Sequence, residues 1–487
     1  MSIQITEKKA DFSAKAVSSA THVMVLMPQA KSLSALPGGA SLKAALKRRA
    51  GKIEELAKSP VTVEIDGTLL VYAMVDGQAP TFERHTQIRK AWECLSGEKP
   101  ESVDVAIFGE PDFRKQTGRD AAYVLAVNAE PLPAHKSKAK AKSLKKATLF
   151  GVSGCGVNEA LAIAEGNTLT RSLTVLPPNE LTPGEYRKRI KALAKTYGWT
   201  VEEYGFDKLK KMGAGAFCAV AQGSPARDAA IVHLSYKGPG VRGQGSGKSV
   251  ALVGKGICFD TGGHNLKPAK YMHGMHEDMN GSAVVLGIMA AASRLKLPVA
   301  LEGWLALAEN HISPQAYRQN EVVKALNGTT IEVMHTDAEG RMVLADTLTL
   351  ASRAKPDLIA DFATLTGSMH YALGSRMSGI FATSSTLAHQ ASRAATASGE
   401  RLVVFPYPED YDSSLDSTVA DVKQCTLEGE ADHILATRFL SRFVGDASWI
   451  HMDLSASACK GGLGAVSGEQ TGFGVAWGVA MLESLKG

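Results

Sequence analysis

The chain has 487 residues, is 45% hydrophobic and 21% charged, and carries a formal net charge of +5 at pH 7. That is enough chain for two or three domains of ordinary globular composition, and too little charge for its length to imply a nucleic-acid partner. No run approaches the roughly 18 uncharged apolar residues of a membrane helix, Met1-Ser2-Ile3-Gln4 does not open a secretory signal, and the six cysteines (Cys94, Cys155, Cys218, Cys258, Cys425, Cys459) contain no CxxC pair that would mark a disulfide framework or a zinc ribbon, so a reducing cytoplasm is the expected home.

In residues 1 to about 150, strand-like runs at Thr21–Met27, Leu69–Val75 and Val103–Phe108 alternate with more polar, helix-like segments, which predicts a small N-terminal α/β domain. Its end is marked by Pro131-Leu132-Pro133 and then six lysines between Lys136 and Lys146. Such a run either meets an anionic partner or is a solvated loop or helix face, and the second reading is preferred. From Gly156 to Leu176 a connecting helix is predicted, halted at Pro177-Pro178-Asn179, with Thr182-Pro183 opening the next helix. The expected division is therefore 1–150, a connecting segment 151–180, and a catalytic domain 181–487.

Gly243-Gln244-Gly245-Ser246-Gly247-Lys248-Ser249 superficially suggests a phosphate loop. Arg242 stands where that motif needs glycine, and the segment precedes a strand when it should follow one, so it reads as a flexible hairpin connection. Beyond it, predicted strands at 249–254, 300–306 and 357–362 alternate with helices at 281–294 and 342–353. This pattern implies a larger C-terminal domain with a central, largely parallel sheet covered by helices. Sites in such sheets gather beyond the carboxyl ends of strands. Lys255 and Asp260 follow one predicted strand and Thr364-Leu365-Thr366-Gly367 another, which fits a single cleft; Asp453-Leu454-Ser455 and the glycine-rich stretch Gly461–Gly474 would close the domain.

Two acidic clusters stand out. The first runs from Gly254-Lys255-Gly256-Ile257-Cys258-Phe259-Asp260 through Lys267-Pro268 to Glu277-Asp278-Met279-Asn280-Gly281; the second is His335-Thr336-Asp337-Ala338-Glu339-Gly340-Arg341. Asp337 and Glu339 are two apart, so in extended chain their carboxylates point the same way. Apolar sequence flanks both clusters, which places these carboxylates close to the interior, where an uncompensated charge is costly and normally pairs or coordinates a cation. Four carboxylates against Lys255, Lys267 and Arg341 leave a deficit that a divalent metal would fill, and hard oxygen donors suit Mg, Mn or Zn.

The run Asp337-Ala338-Glu339-Gly340-Arg341, with Leu344-Ala345-Asp346 after it, resembles the signature of the leucyl aminopeptidase family, the two-metal cytosolic exopeptidases. Lys255, Asp260, Lys267 and Asp278, spaced 5, 7 and 11 apart, stand in the order that family uses, and Ala363-Thr364-Leu365-Thr366-Gly367 agrees further on. The resemblance covers roughly residues 165 to 485 and is weak over the first 150 or so. It implies release of N-terminal amino acids, leucine and similar, from peptides with a free N-terminus. It implies two divalent ions per subunit, Mn or Zn with Mg or Co also open, held by Lys255, Asp260, Asp278, Asp337 and Glu339. Lys267 would stabilise the oxyanion, Arg341 would hold a bicarbonate that accepts a proton from the attacking water, and Met275, Thr364, Leu365 and Gly367 would line the substrate pocket. A cytoplasmic homohexamer is the implied form.

The sequence departs from the family pattern at His335, where asparagine usually stands, and at His276 and Asn280 beside Asp278. His264, His273 and His276 lie near the clusters, but HExxH is absent and the family uses no histidine ligands, so they are expected in supporting or loop roles. A second reading, a DNA-binding or regulatory protein with or without peptidase activity, rests on the lysine run alone. A pseudoenzyme is opposed by the intact set of ligand and catalytic residues.

Overall fold

The computed structural model describes residues 3–485 apart from 30–31, 34, 138–141 and 242–247. The chain divides into two compact units. The first comprises Met1–Thr168, Thr396–Gly399 and Cys459–Thr471, and the second Leu169–Ala395, Glu400–Ala458 and Gly472–Gly487.

The first unit is built on a six-stranded sheet ordered Gln4–Lys8, Lys146–Phe150, Ser102–Ile107, His22–Met27, Thr68–Met74, Val61–Ile65, parallel except for its last pair. The three strands predicted there are all present, each within a residue or two of its expected bounds. Helices Thr81–Ser96 and Pro111–Val127 bury Ile88, Trp92, Val124 and Leu125 against one face, while Leu42 and Leu46 cover the other. Within the lysine run, Lys136, Lys142, Lys145 and Lys146 are exposed, Lys145 pairing with Glu101 at 2.8 Å; Lys138 and Lys140 lie outside the described residues. Of the segment 243–249, residues 243–247 also lie outside them.

The expected connecting helix is Val157–Thr174, and the next, Pro183–Tyr197, is capped as anticipated by Thr182, whose hydroxyl accepts from the Glu185 amide.

The second unit carries an eight-stranded sheet ordered Leu402–Val404, Ser378–Ala382, Trp449–Asp453, Leu358–Ala363, Ser249–Asp260, Ala300–Asn310, Ala230–Lys237, Thr200–Gly205. Its four middle strands run parallel, and antiparallel neighbours follow on either side. The middle strands are near-continuous apolar runs because both faces are covered. Ala251, Val253 and Ile257 join the core under helix Glu339–Arg353, and the alternate residues Gly254 and Gly256 face Ser282 at the start of helix Asn280–Leu295.

Two boundaries differ from the sequence reading, with consequences for the site. The strand predicted to stop at 254 pairs onward with Ala300–Asn310 as far as Asp260, so Lys255 and Asp260 are strand residues rather than residues after a strand. The helix predicted from 342 begins at Glu339, with Thr336 and Asp337 in a turn before it. Asp337 and Glu339 therefore converge across a turn-to-helix junction, not along extended chain.

The start of helix Asn280–Leu295 lies directly on the sheet. A Cβ added to Gly281 would sit 2.1 Å from the Phe362 carbonyl oxygen, and one on Gly254 2.5 Å from Ser282 Cα. Only glycine permits this approach, and it seats Asp278 beside Lys255. Gly281→Ala is therefore expected to cost about 1–3 kcal/mol by overpacking and to lower both the unfolding temperature and activity; an unchanged unfolding temperature would show that the backbone contact is not tight.

Candidate active site

The two acidic clusters meet in one cavity of about 900 Å³ within the second unit, and every residue singled out in the sequence as ligand, catalytic group or pocket wall lines it. Local hydrogen bonds explain the meeting. The Thr336 hydroxyl donates to the Gly262 carbonyl at 2.6 Å and accepts from the Asn265 amide at 2.8 Å, tying the second cluster to the loop that carries Lys267. Asn310, at the end of the neighbouring strand, donates from Nδ2 to Asp260 Oδ1 at 2.8 Å and to the Thr336 carbonyl at 3.0 Å. Gly262 and Gly263 take φ of +86° and +65° to make the turn between them, a conformation that favours glycine.

At the centre, Asp260, Asp337 and Glu339 each present a carboxylate oxygen within 4.8 Å of the others. Lys255 Nζ bridges Asp278 Oδ2 at 2.8 Å and Glu339 Oε1 at 2.9 Å; Lys267 Nζ bridges Asp260 Oδ2 at 2.9 Å and Asp337 Oδ1 at 2.5 Å. The lysines differ in exposure. The Lys255 side chain is 4% exposed and Lys267 14%, so both line the cavity but Lys267 is the more open to it. Four carboxylates against two ammonium groups leave two negative charges uncompensated. Burial, against the opposing pull of Lys255, pushes Asp278 up to about 7. Burial and the neighbouring charges of Glu339 and Asp260 push Asp337 up to about 7, and burial raises Glu339 as well. On Lys255, burial favours the neutral form, but the charges of Asp278, Glu339 and Asp260 outweigh it and hold the ammonium well above its ordinary range.

The loop Thr364–Gly367 forms another wall. The Thr364 carbonyl accepts from Lys255 Nζ at 2.9 Å and its hydroxyl donates to Asp278 Oδ1 at 2.7 Å. Asp453, which the sequence reading mentioned only as part of the closing segment, fixes this loop from below: its carboxylate accepts from the Leu365 amide at 3.2 Å and from the Thr366 hydroxyl at 2.6 Å. Met275 lines the cavity from the turn Met275–Met279, and the exposed Leu266, Tyr271 and Leu427 add an apolar rim that the sequence did not suggest.

Arg341 differs from expectation. Its side chain is 2% exposed, Nη2 donates to both oxygens of Asp432 at 2.8 and 2.9 Å, and Nη1 donates to the Gln424 carbonyl at 3.1 Å. Asp432 had no signal of its own in the sequence: it is one of three acidic residues in Glu428-Gly429-Glu430-Ala431-Asp432, 91 positions from Arg341.

The departures from the family pattern have local roles. His335 Nδ1 accepts from the Asp337 amide at 3.2 Å, supporting the turn, and Asn280 Nδ2 donates to Thr174 Oγ1 at 2.9 Å. His264 and His273 are exposed, His276 is half-buried, and none of the three lines the cavity.

Residues 168–478 match the model of the catalytic domain of the cytosol aminopeptidase family, peptidase family M17. The chain belongs to this family. It is 38% identical over 451 residues to a probable cytosol aminopeptidase of Pseudomonas fluorescens (strain SBW25), covering 89% of each chain. To a probable cytosol aminopeptidase of Bradyrhizobium sp. (strain BTAi1) it is 40% identical over 325 residues, 66% of this chain and 63% of the relative. Among solved structures it resembles the bottromycin maturation enzyme BotP in complex with Mn, at 30% identity and a TM-score of 0.81 over 96% of this chain and 99% of that one. It also resembles a mutant of tomato leucine aminopeptidase, at 26% identity and a TM-score of 0.86 over 99% of this chain and 96% of that one. As a member of the cytosol aminopeptidase family the chain is a metallo-aminopeptidase, a hydrolase acting on peptides, and its α/β architecture is that of the family. Among the described residues no helix is long and apolar enough to cross a membrane.

Proposed function

We propose that the chain releases N-terminal amino acids, leucine and similar residues among them, from peptides with a free N-terminus, using two divalent ions held by Asp260, Asp278, Asp337, Glu339 and Lys255, whose ammonium would give up a proton to become a donor beside a dication. The observation that carries this reading is the charge of the cavity: a formal excess of two carboxylates over ammonium groups, with Glu339 Oε2 shut away from solvent and accepting no hydrogen bond. An orphaned carboxylate oxygen in such a place calls for a cation. The oxygen-rich donor set suits Mn or Zn, and Mg or Co remain compatible; BotP is a relative of known structure with Mn bound. When present, a pair of such ions lowers the pKa of a shared water and polarises the scissile carbonyl.

The chain's own groups do the rest. Lys267, the more exposed of the two lysines, would donate to the oxygen that gains charge as the carbonyl becomes tetrahedral. Lys255 is anchored by the Thr364 carbonyl. Met275, Thr364, Leu365 and Gly367 form the wall against which the first side chain would rest, and an unblocked α-amino group, unlike an acetylated one, keeps a lone pair that a bound ion would accept. A cytoplasmic homohexamer is the assembly proposed from the resemblance. The bicarbonate implied at Arg341 meets a guanidinium edge that a carboxylate already holds: Nη2 donates to both Asp432 oxygens and Nη1 to the Gln424 carbonyl.

Role separates the expected variants. Glu339→Gln should lose metal and activity together, whereas Lys267→Ala should keep its metal and lose about 10²–10³ in kcat; normal turnover by Lys267→Ala would remove it from the reaction. The direct test of specificity compares one peptide with and without an N-acetyl group. Stepwise release of free amino acids is expected from the unblocked peptide and almost none from the blocked one, and comparable cleavage of both, or internal fragments in mass spectra, would contradict an N-terminal exopeptidase.

A further inference from the structure

We infer that Asp432 supplies from within the chain the oxyanion that Arg341 would otherwise have to take from solution, and that it accepts the proton of the attacking water. The inference rests on the peptidase reading above. Arg341 and Asp432 both line the cavity, Arg341 from the first turn of helix Glu339–Arg353, two residues after Glu339, and Asp432 as the first residue of helix Asp432–Ser441.

The arginine is fixed and almost fully buried, but the Asp432 side chain is 22% exposed, so one end of the ion pair is anchored and the other stays in reach of cavity water. The start of the helix favours a negative charge at Asp432. A carboxylate presents the same planar O–C–O edge as bicarbonate to a guanidinium. Being tethered, it holds that position at an effective concentration that a dissolved anion in the millimolar range does not match. In the step assigned to it, the water oxygen bonds to the carbonyl carbon while one water proton moves to an Asp432 carboxylate oxygen. When the carbon–nitrogen bond breaks, that proton passes to the departing nitrogen, which leaves as an amine, and Asp432 is again ionised.

The test measures kcat and KM on an unblocked peptide for the metal-loaded native chain, Asp432→Asn and Asp432→Ala, in buffer purged of carbon dioxide and in the same buffer with sodium bicarbonate or sodium formate. The native chain should turn over equally in all three. Both variants should retain metal and remain folded, at an unfolding temperature lowered by the unpaired buried Arg341, and lose about 10²-fold in kcat with little change in KM, and either anion should return roughly tenfold of that loss to Asp432→Ala, whose truncated side chain leaves room for it. A merely structural ion pair would not respond to added anion. Native activity that requires bicarbonate, variants with undiminished kcat, or a folded Asp432→Ala that neither anion rescues would each overturn the assignment. The native response needs no variant to fold, and absence of native turnover in every buffer would sink the peptidase reading itself.

Discussion

Buried negative charge is the constraint around which the second unit is arranged. Asp260, Asp278 and Glu339 are nearly sealed from solvent and Asp337 is partly so, a placement that no isolated carboxylate tolerates. Lys255 and Lys267 each span two of them, which limits the repulsion without cancelling it. Removing either lysine would leave its two carboxylates facing one another, and breaking a buried pair of this kind typically costs about 3–5 kcal/mol. The residual charge is the feature that a metallo-aminopeptidase needs before it meets its ions, and the cavity beside it has room for a peptide end.

The scaffold holds this charge by close backbone contacts and by polar stitches rather than by loop length. Gly254 and Gly281 let helix Asn280–Leu295 rest on the sheet, so Asp278 is delivered next to a strand lysine. Asn310 and Thr336 bind the strand ends to the turn that carries Asp337, and Asp453 secures the opposite wall through Leu365 and Thr366. Each of these supports is itself buried and hydrogen-bonded, so the positions of the charged groups are fixed by the fold.

The ligand and catalytic candidates were legible because each cluster is short and its charged residues are unusual between apolar flanks; the spacing from Lys255 to Asp278 and the Asp337–Arg341 run carry their meaning locally. The alternation of strands and helices was legible for the same reason. What the sequence hid is non-local. Whether the strand stops at 254 or runs to Asp260 is decided by pairing with Ala300–Asn310, fifty residues on at its far end. Asn310, Asp453 and Asp432 look like ordinary strand-end or helix-start residues until the fold brings them to the site. Arg341 was recognised as an anion-binding residue, but the identity of its partner depends on a helix 91 residues later.

A pair of divalent ions is what the proposed function sets against the cavity's unpaired negative charge. The number of ions bound per folded chain tests this most directly: the protein is stripped with chelator, reloaded with Mn, freed of excess ion and analysed by elemental mass spectrometry alongside its circular dichroism. Two ions per chain, on protein that stayed folded while empty, is the predicted result. One ion or none at saturation, with the fold intact, would contradict it.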